Sequence, residues 1–100
     1  MARIIWTEPA LNELDEIADY ISLDNPLAAK NLVRSAFNRV EHLESHPKSG
    51  KIVGEFDYSV YREIVLPPCR IFYRQENEMV FIIHVIREEQ LLRLDTLKLR

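Results

Sequence analysis

Two hydrophobic periods divide this chain. In its first half, Leu11, Leu14, Ile17, Ala18 and Ile21 recur at three- and four-residue spacing, with Asn12, Glu13, Asp15, Glu16 and Asp19 between them. That spacing predicts an amphipathic helix with an acidic outer face. Thr7 offers its N-cap, and Pro9 falls in the first turn, where a missing N–H matters little. Asp24, Asn25 and Pro26 end this helix and start another, whose apolar positions are Ala29, Leu32, Val33, Ala36, Phe37, Val40 and Leu43. Pro47 bounds it. So short a link makes the two helices antiparallel neighbours. Arg3–Trp6 reads as a short edge or pairing strand ahead of them.

The pattern changes in the second half. His46–Asp57, with Pro47, Gly50 and Gly54, reads as a loop. From Tyr58 to Arg87 the residues are β-branched and aromatic, with a break at Pro67–Pro68 and another at Glu76–Asn77–Glu78. This predicts three strands. The run Val80–Ile86 has almost no polar alternation, as expected of a central strand covered on both faces. Glu88–Arg100, rich in leucine, reads as a short helix or an apolar tail. The order β-α-α-β-β-β predicts an α+β fold, with a helical hairpin on one face of a mostly antiparallel sheet. The whole of residues 1–100 is expected to form one domain, with 88–100 as its C-terminal tail.

Charge refines this picture. Thirteen basic and sixteen acidic residues leave a net charge of −3, against the basic excess usual in nucleic-acid binders. Residues 1–45 hold four basic and eight acidic side chains (−4), and residues 46–100 nine and eight (+1). Any cationic surface must therefore come from the sheet half. One cysteine, Cys69, precludes an internal disulfide and points to a reducing cytoplasm. No apolar run approaches the ~20 residues of a membrane helix. No residue pattern calls for a metal or cofactor, and none is expected.

The segments WTEPALNELDEIADYI, ESHPKSGKI and YREIVLPPCRIFYRQENEMVFIIHVIREE, in this order across residues 2–90, resemble the RelE/ParE toxin superfamily of bacterial toxin–antitoxin modules. The last segment is the most specific. It has an arginine-led strand, a second arginine in RIFYR and an aliphatic strand ending HVIR. The resemblance implies the fold predicted above and a cognate antitoxin whose C-terminal segment wraps the toxin. RelE-like members are implied to cut messenger RNA in the ribosomal A site. ParE-like members are implied to inhibit DNA gyrase by binding it.

Metal-free RNA cleavage needs a base, an acid and cations for the phosphate charge. Arg70, at the superfamily's arginine position, and Arg87 are candidate cations; His84, Lys48 and Lys51 are acid–base candidates. Yet no tyrosine or histidine follows Arg87, although the nucleases commonly carry one there, and the lysine cluster is reduced to Lys48 and Lys51. Cys69 stands where the family commonly has tyrosine. A ParE-like gyrase inhibitor without a catalytic set is therefore the leading expectation. A ribosome-dependent endoribonuclease is the alternative, and a decayed module that only binds antitoxin and autorepresses is the third. The expected target or antitoxin contacts are Arg62, Arg70, Arg74, Arg87, Leu91 and Leu94. Direct nucleic-acid binding is expected only through the antitoxin; self-pairing and hetero-oligomers stay open.

Each of these residues also has an architectural role to weigh. His84 in an apolar strand suits a packed, hydrogen-bonded core group, and Glu63, Glu76 and Glu78 are near enough to pair with the arginines. Cys69 suits inert packing, and Glu13 and Glu16 a solvated helix face. The hairpin register decides geometry. Centred on Asn77, it sets Arg70 across from His84; with a two-residue turn, Arg70 pairs near Ile83 and shares a face with Arg87. The tail Leu91–Leu99 is expected to be partly exposed in the free protein.

Overall fold

The structure, a computed structural model, describes residues 1–54, 60–88 and Leu97. Strand β1 (Arg3–Trp6) leads into α1 (Glu8–Ser22), then α2 (Pro26–Glu41) and a three-ten turn, His42–Glu44. Four strands follow: β2 (Lys51–Ile52), β3 (Tyr61–Leu66), β4 (Cys69–Glu76) and β5 (Met79–Arg87). They form one five-stranded sheet in the order β1-β5-β4-β3-β2. Among the described residues only the β1–β5 pairing is parallel. The expected α+β order therefore holds, with β2 added where a plain loop was expected.

Both predicted caps form. The Thr7 side chain accepts from the Ala10 N–H at 3.4 Å, and Asn25 from that of Ala28 at 3.0 Å. The Thr7 hydroxyl also donates to the Ile82 carbonyl at 2.7 Å, tying the start of α1 to β5. The apolar stripes of both helices pack on one face of the sheet. Ala10, Leu14, Ile17, Leu32, Ala36 and Val40 meet Ile64, Cys69, Ile71, Tyr73, Val80, Ile82 and Val85 there. Phe37, expected in the core, is exposed at the rim but packs its ring 4.9 Å from Trp6. No helix among the described residues is long and apolar enough to cross a membrane.

A second, smaller cluster covers the opposite face, where Phe72, Ile83 and Ile86 pack with Val53 and Leu97. That explains why β5 lacks polar alternation: it is buried from both sides. Leu97, one residue of the tail expected to be partly exposed, is thus buried. Leu91, Leu94 and the rest of 89–96 and 98–100, like 55–59 at the expected start of β3, lie outside the described residues.

The β4–β5 hairpin turns on Asn77 and Glu78, with Glu76 opposite Met79. Asn77 takes a left-handed φ of 57°, which asparagine tolerates better than most residues. The register then slips by one between Phe72 and Tyr73. Neither exact pairing expected of Arg70 survives this bulge, although Arg70 and His84 do share a face. Arg70 lies opposite Ile86, and Phe72 opposite His84.

Candidate functional site

Residues directly opposite in neighbouring strands share a face, so the pairings sort the four arginines. Val65, Arg70 and Ile86 are opposite one another, as are Tyr61, Arg74 and Phe81; these lie on the face away from the helices. Arg62 is opposite Tyr73, and Arg87 opposite Cys69, both on the helix side. The four cations expected to form one platform are thus divided between two faces. Arg87 does not share a face with Arg70; its guanidinium lies 5.6 Å from the centre of the Tyr20 ring on α1.

On the open face each arginine covers an aromatic ring and meets a carboxylate. Arg70 sits 4.9 Å from the Phe72 ring centre and donates to Glu63 at 2.7 Å. Glu63 is 6% exposed, so this pair is largely out of water and each charge needs the other. Arg74 sits 4.4 Å from the Phe81 ring centre and pairs with Glu76 at the solvent boundary. The expected arginine–glutamate pairings therefore form for two of the three strand arginines. Arg62 instead donates to the Gly50 carbonyl at 2.8 Å and the Lys48 carbonyl at 3.2 Å.

That contact changes the reading of the lysine loop. The Tyr73 hydroxyl donates to the Pro47 carbonyl at 2.8 Å and accepts from the Gly50 N–H at 2.9 Å. A Cβ at Gly50 would come within 2.6 Å of the Tyr73 hydroxyl and 2.9 Å of the Glu63 carbonyl, so only glycine fits this close approach. Burial pushes the Tyr73 phenol above its ordinary 10.0, while the Gly50 bond and the Arg62 charge pull it back. Lys48 and Lys51 therefore flank a stapled turn instead of riding a loose loop.

His84, opposite Phe72, lies on the open face with its ring centre 5.9 Å from that of Phe72, and it meets α1 at the edge of β5. Its Nδ1 lies 2.6 Å from Glu13, whose other oxygen accepts from the Val85 N–H at 3.1 Å. The cause is topological: β1 ends opposite Ile82, and the chain leaves for α1 at Thr7. Beyond that point β5 has lost its strand partner, and Glu13 takes the vacated place as acceptor. Glu13 was expected on a solvated face with Glu16; only Glu16 is exposed. The signal was present in the spacing, because Glu13 lies three residues after Ala10 and four before Ile17, on the buried stripe. Cys69 is fully buried, as expected of inert packing.

Residues 4–92 match the family model of the ParE toxin of type II toxin–antitoxin systems. The chain belongs to the ParE toxin family. Toxin RelE2 of Caulobacter vibrioides is 31% identical over 86 residues, covering 85% of this chain and 93% of its own length. Two solved structures share the fold. The chromosomal ParDE system of P. aeruginosa superposes with a TM-score of 0.75 at 23% identity, covering 89% of this chain and 98% of the other. The RelBE2 toxin–antitoxin complex of Mycobacterium tuberculosis gives 0.58 at 19% identity, covering 87% and 98%. The protein is thus a toxin of the RelE/ParE superfamily, and the expectation drawn from its three segments holds at that level.

Proposed function

We propose that this ParE-family toxin acts by binding DNA gyrase and blocking it, without chemistry of its own, and that a cognate antitoxin neutralises it. The observation that carries this reading is the engagement of the nuclease candidates by their own neighbours. Cleavage of one phosphodiester needs its acid, base and cations within hydrogen-bond reach of the same few atoms. Here Arg70 and His84 share the open face around Phe72, but each is already engaged by a carboxylate, Arg70 by Glu63 and buried His84 by Glu13 of α1. Arg87 lies against Tyr20, and Lys48 and Lys51 belong to the turn stapled by Tyr73. Membership of the ParE family supports the same choice, through the activity its resemblance implies.

The ribonuclease reading draws its support from the Caulobacter relative, whose name places it with RelE. Supercoiling by purified gyrase separates the two. Added toxin should stop supercoiling, and prior incubation with antitoxin should restore it. Unimpaired supercoiling, together with cleavage of messenger RNA on translating ribosomes, would reverse the assignment.

A further inference from the structure

Helical hydrogen bonding runs on past the end of α2. The His46 N–H donates to the His42 carbonyl at 3.1 Å, a bond spanning four residues that adds one more turn. Side chains four apart in such a turn stand on the same side. His42 and His46 do so, with their rings stacked, centres 4.5 Å apart and planes 10° from parallel. Both are exposed. The remaining histidine, His84, is buried and held by Glu13.

Two imidazoles arranged in this way form a chelate. A tetrahedral ion with nitrogen ligands at about 2.0–2.1 Å needs those nitrogens about 3.4 Å apart. Rings with centres 4.5 Å apart reach that spacing by tipping together about 1 Å, which exposed side chains can do. Among the described residues no cluster of three or more His, Cys, Asp or Glu side chains forms, so water would complete the coordination. No metal was expected from the sequence alone, where histidines four apart carry weight only if the turn between them is helical.

The surroundings favour a cation over an anion. The pair stands at the carbonyl end of α2, where the helix dipole attracts positive charge. Glu41 and Glu44 flank it in the chain and offset Arg39 and Lys48. Imidazole nitrogen then selects among cations. Copper, nickel and zinc ions bind it well, whereas magnesium and calcium prefer oxygen.

An ion held there would act on the neighbouring turn. From His46 the chain enters Pro47, whose carbonyl accepts from the Tyr73 hydroxyl, and that hydroxyl accepts from the Gly50 N–H. Tying His46 to His42 fixes the residue that leads into this staple.

We propose that His42 and His46 chelate one divalent cation of the zinc, nickel and copper class, and that the bound ion braces the turn held by Tyr73. The inference is independent of the gyrase reading, since its test needs neither a target nor an antitoxin.

Tag-free, full-length toxin is titrated by calorimetry with the chlorides of zinc, nickel, copper and magnesium. One ion per chain is expected for the first three, tightest for copper, and none for magnesium. His42→Ala and His46→Ala, both at exposed positions, should each weaken copper binding about tenfold or more, because losing a residue that only orients a ligand already costs that much. Glutamine at either position serves if an alanine variant misfolds. Electron paramagnetic resonance of the copper complex should show two coupled nitrogens, and saturating zinc should slow hydrogen exchange at the Gly50 N–H. Wild-type affinity in either variant, a single coupled nitrogen, or magnesium binding as tight as zinc would each overturn the site. Gly50 exchange untouched by zinc would overturn the bracing.

Discussion

The two faces of the sheet handle polar groups in opposite ways. The helix side is an apolar core whose few polar groups serve as fasteners: Tyr73 holds the lysine turn, and Glu13 of α1 holds the edge of β5 at the Val85 N–H. The far side has a smaller apolar cluster, and there arginines lie across Phe72 and Phe81 with carboxylates beside them. A fastener at the core is worth the contact it makes. On the far side an arginine does two jobs, covering apolar surface with its stem and presenting charge at its tip. The balance between those jobs depends on how dry its partner is, so Arg70 and Arg74, four residues apart, should behave differently.

That contrast can be broken by mutation. Arg70→Ala strands the buried Glu63 carboxylate and should lower stability by about 3 kcal/mol, whereas Arg74→Ala, beside the exposed Glu76, should lower it by less than about 1. Urea denaturation of the two variants measures the difference. Replacing both partners, Arg70→Met with Glu63→Leu, should recover most of the first loss. Similar small effects for both arginines would mean that Arg70 is as free to engage a target as Arg74.

On the helix side, Tyr73→Phe leaves the Gly50 N–H and the Pro47 carbonyl without their shared partner, for a loss of about 1–3 kcal/mol. Its phenol has a folded-state pKa raised by burial, so the folded protein holds that proton more tightly than the unfolded chain. The contribution is therefore full below the unfolded value near 10 and is lost as pH rises through the folded one. Denaturation midpoints should fall in alkali for the wild type and fall less for Tyr73→Phe. Parallel pH profiles would show that Tyr73 does not report the staple.

The smallest expected effect separates two neighbouring carboxylates. Glu13→Gln keeps an acceptor for the Val85 N–H but gives up the charge beside His84, at a cost of about 1 kcal/mol. Glu16→Gln should fall within about 0.5 kcal/mol of the wild type. Thermal denaturation of both distinguishes them, and equal midpoints would return Glu13 to the solvated face.

These pairs also mark where sequence reading ends. The helices were legible because their stripes and caps are local: Leu11 to Ile21 carries the period, and Thr7 and Asn25 the stops. The strands were legible from Val60 to Ile86 because β-branched runs and turn residues are local too. Register was not, because the slip between Phe72 and Tyr73 depends on how β5 meets β4 and leaves no composition signal. Strand β2 was missed because two residues have no period, and the lysine turn seemed loose because Tyr73, which holds it, lies more than twenty residues away. The arginines were rightly named as the charges of the sheet half. Which face each occupies is a matter of tertiary pairing, and it divided them into Arg70 with Arg74 and Arg62 with Arg87.

The central claim is that this toxin grips a macromolecule and does no chemistry on it. The most direct test is stoichiometry, read as the toxin concentration that halves supercoiling at several fixed gyrase concentrations. A tight, non-catalytic binder predicts that the half-inhibiting amount rises in proportion to gyrase and does not change with incubation time. Supercoiling left intact at every ratio, while trace toxin steadily destroys messenger RNA on ribosomes, would contradict it.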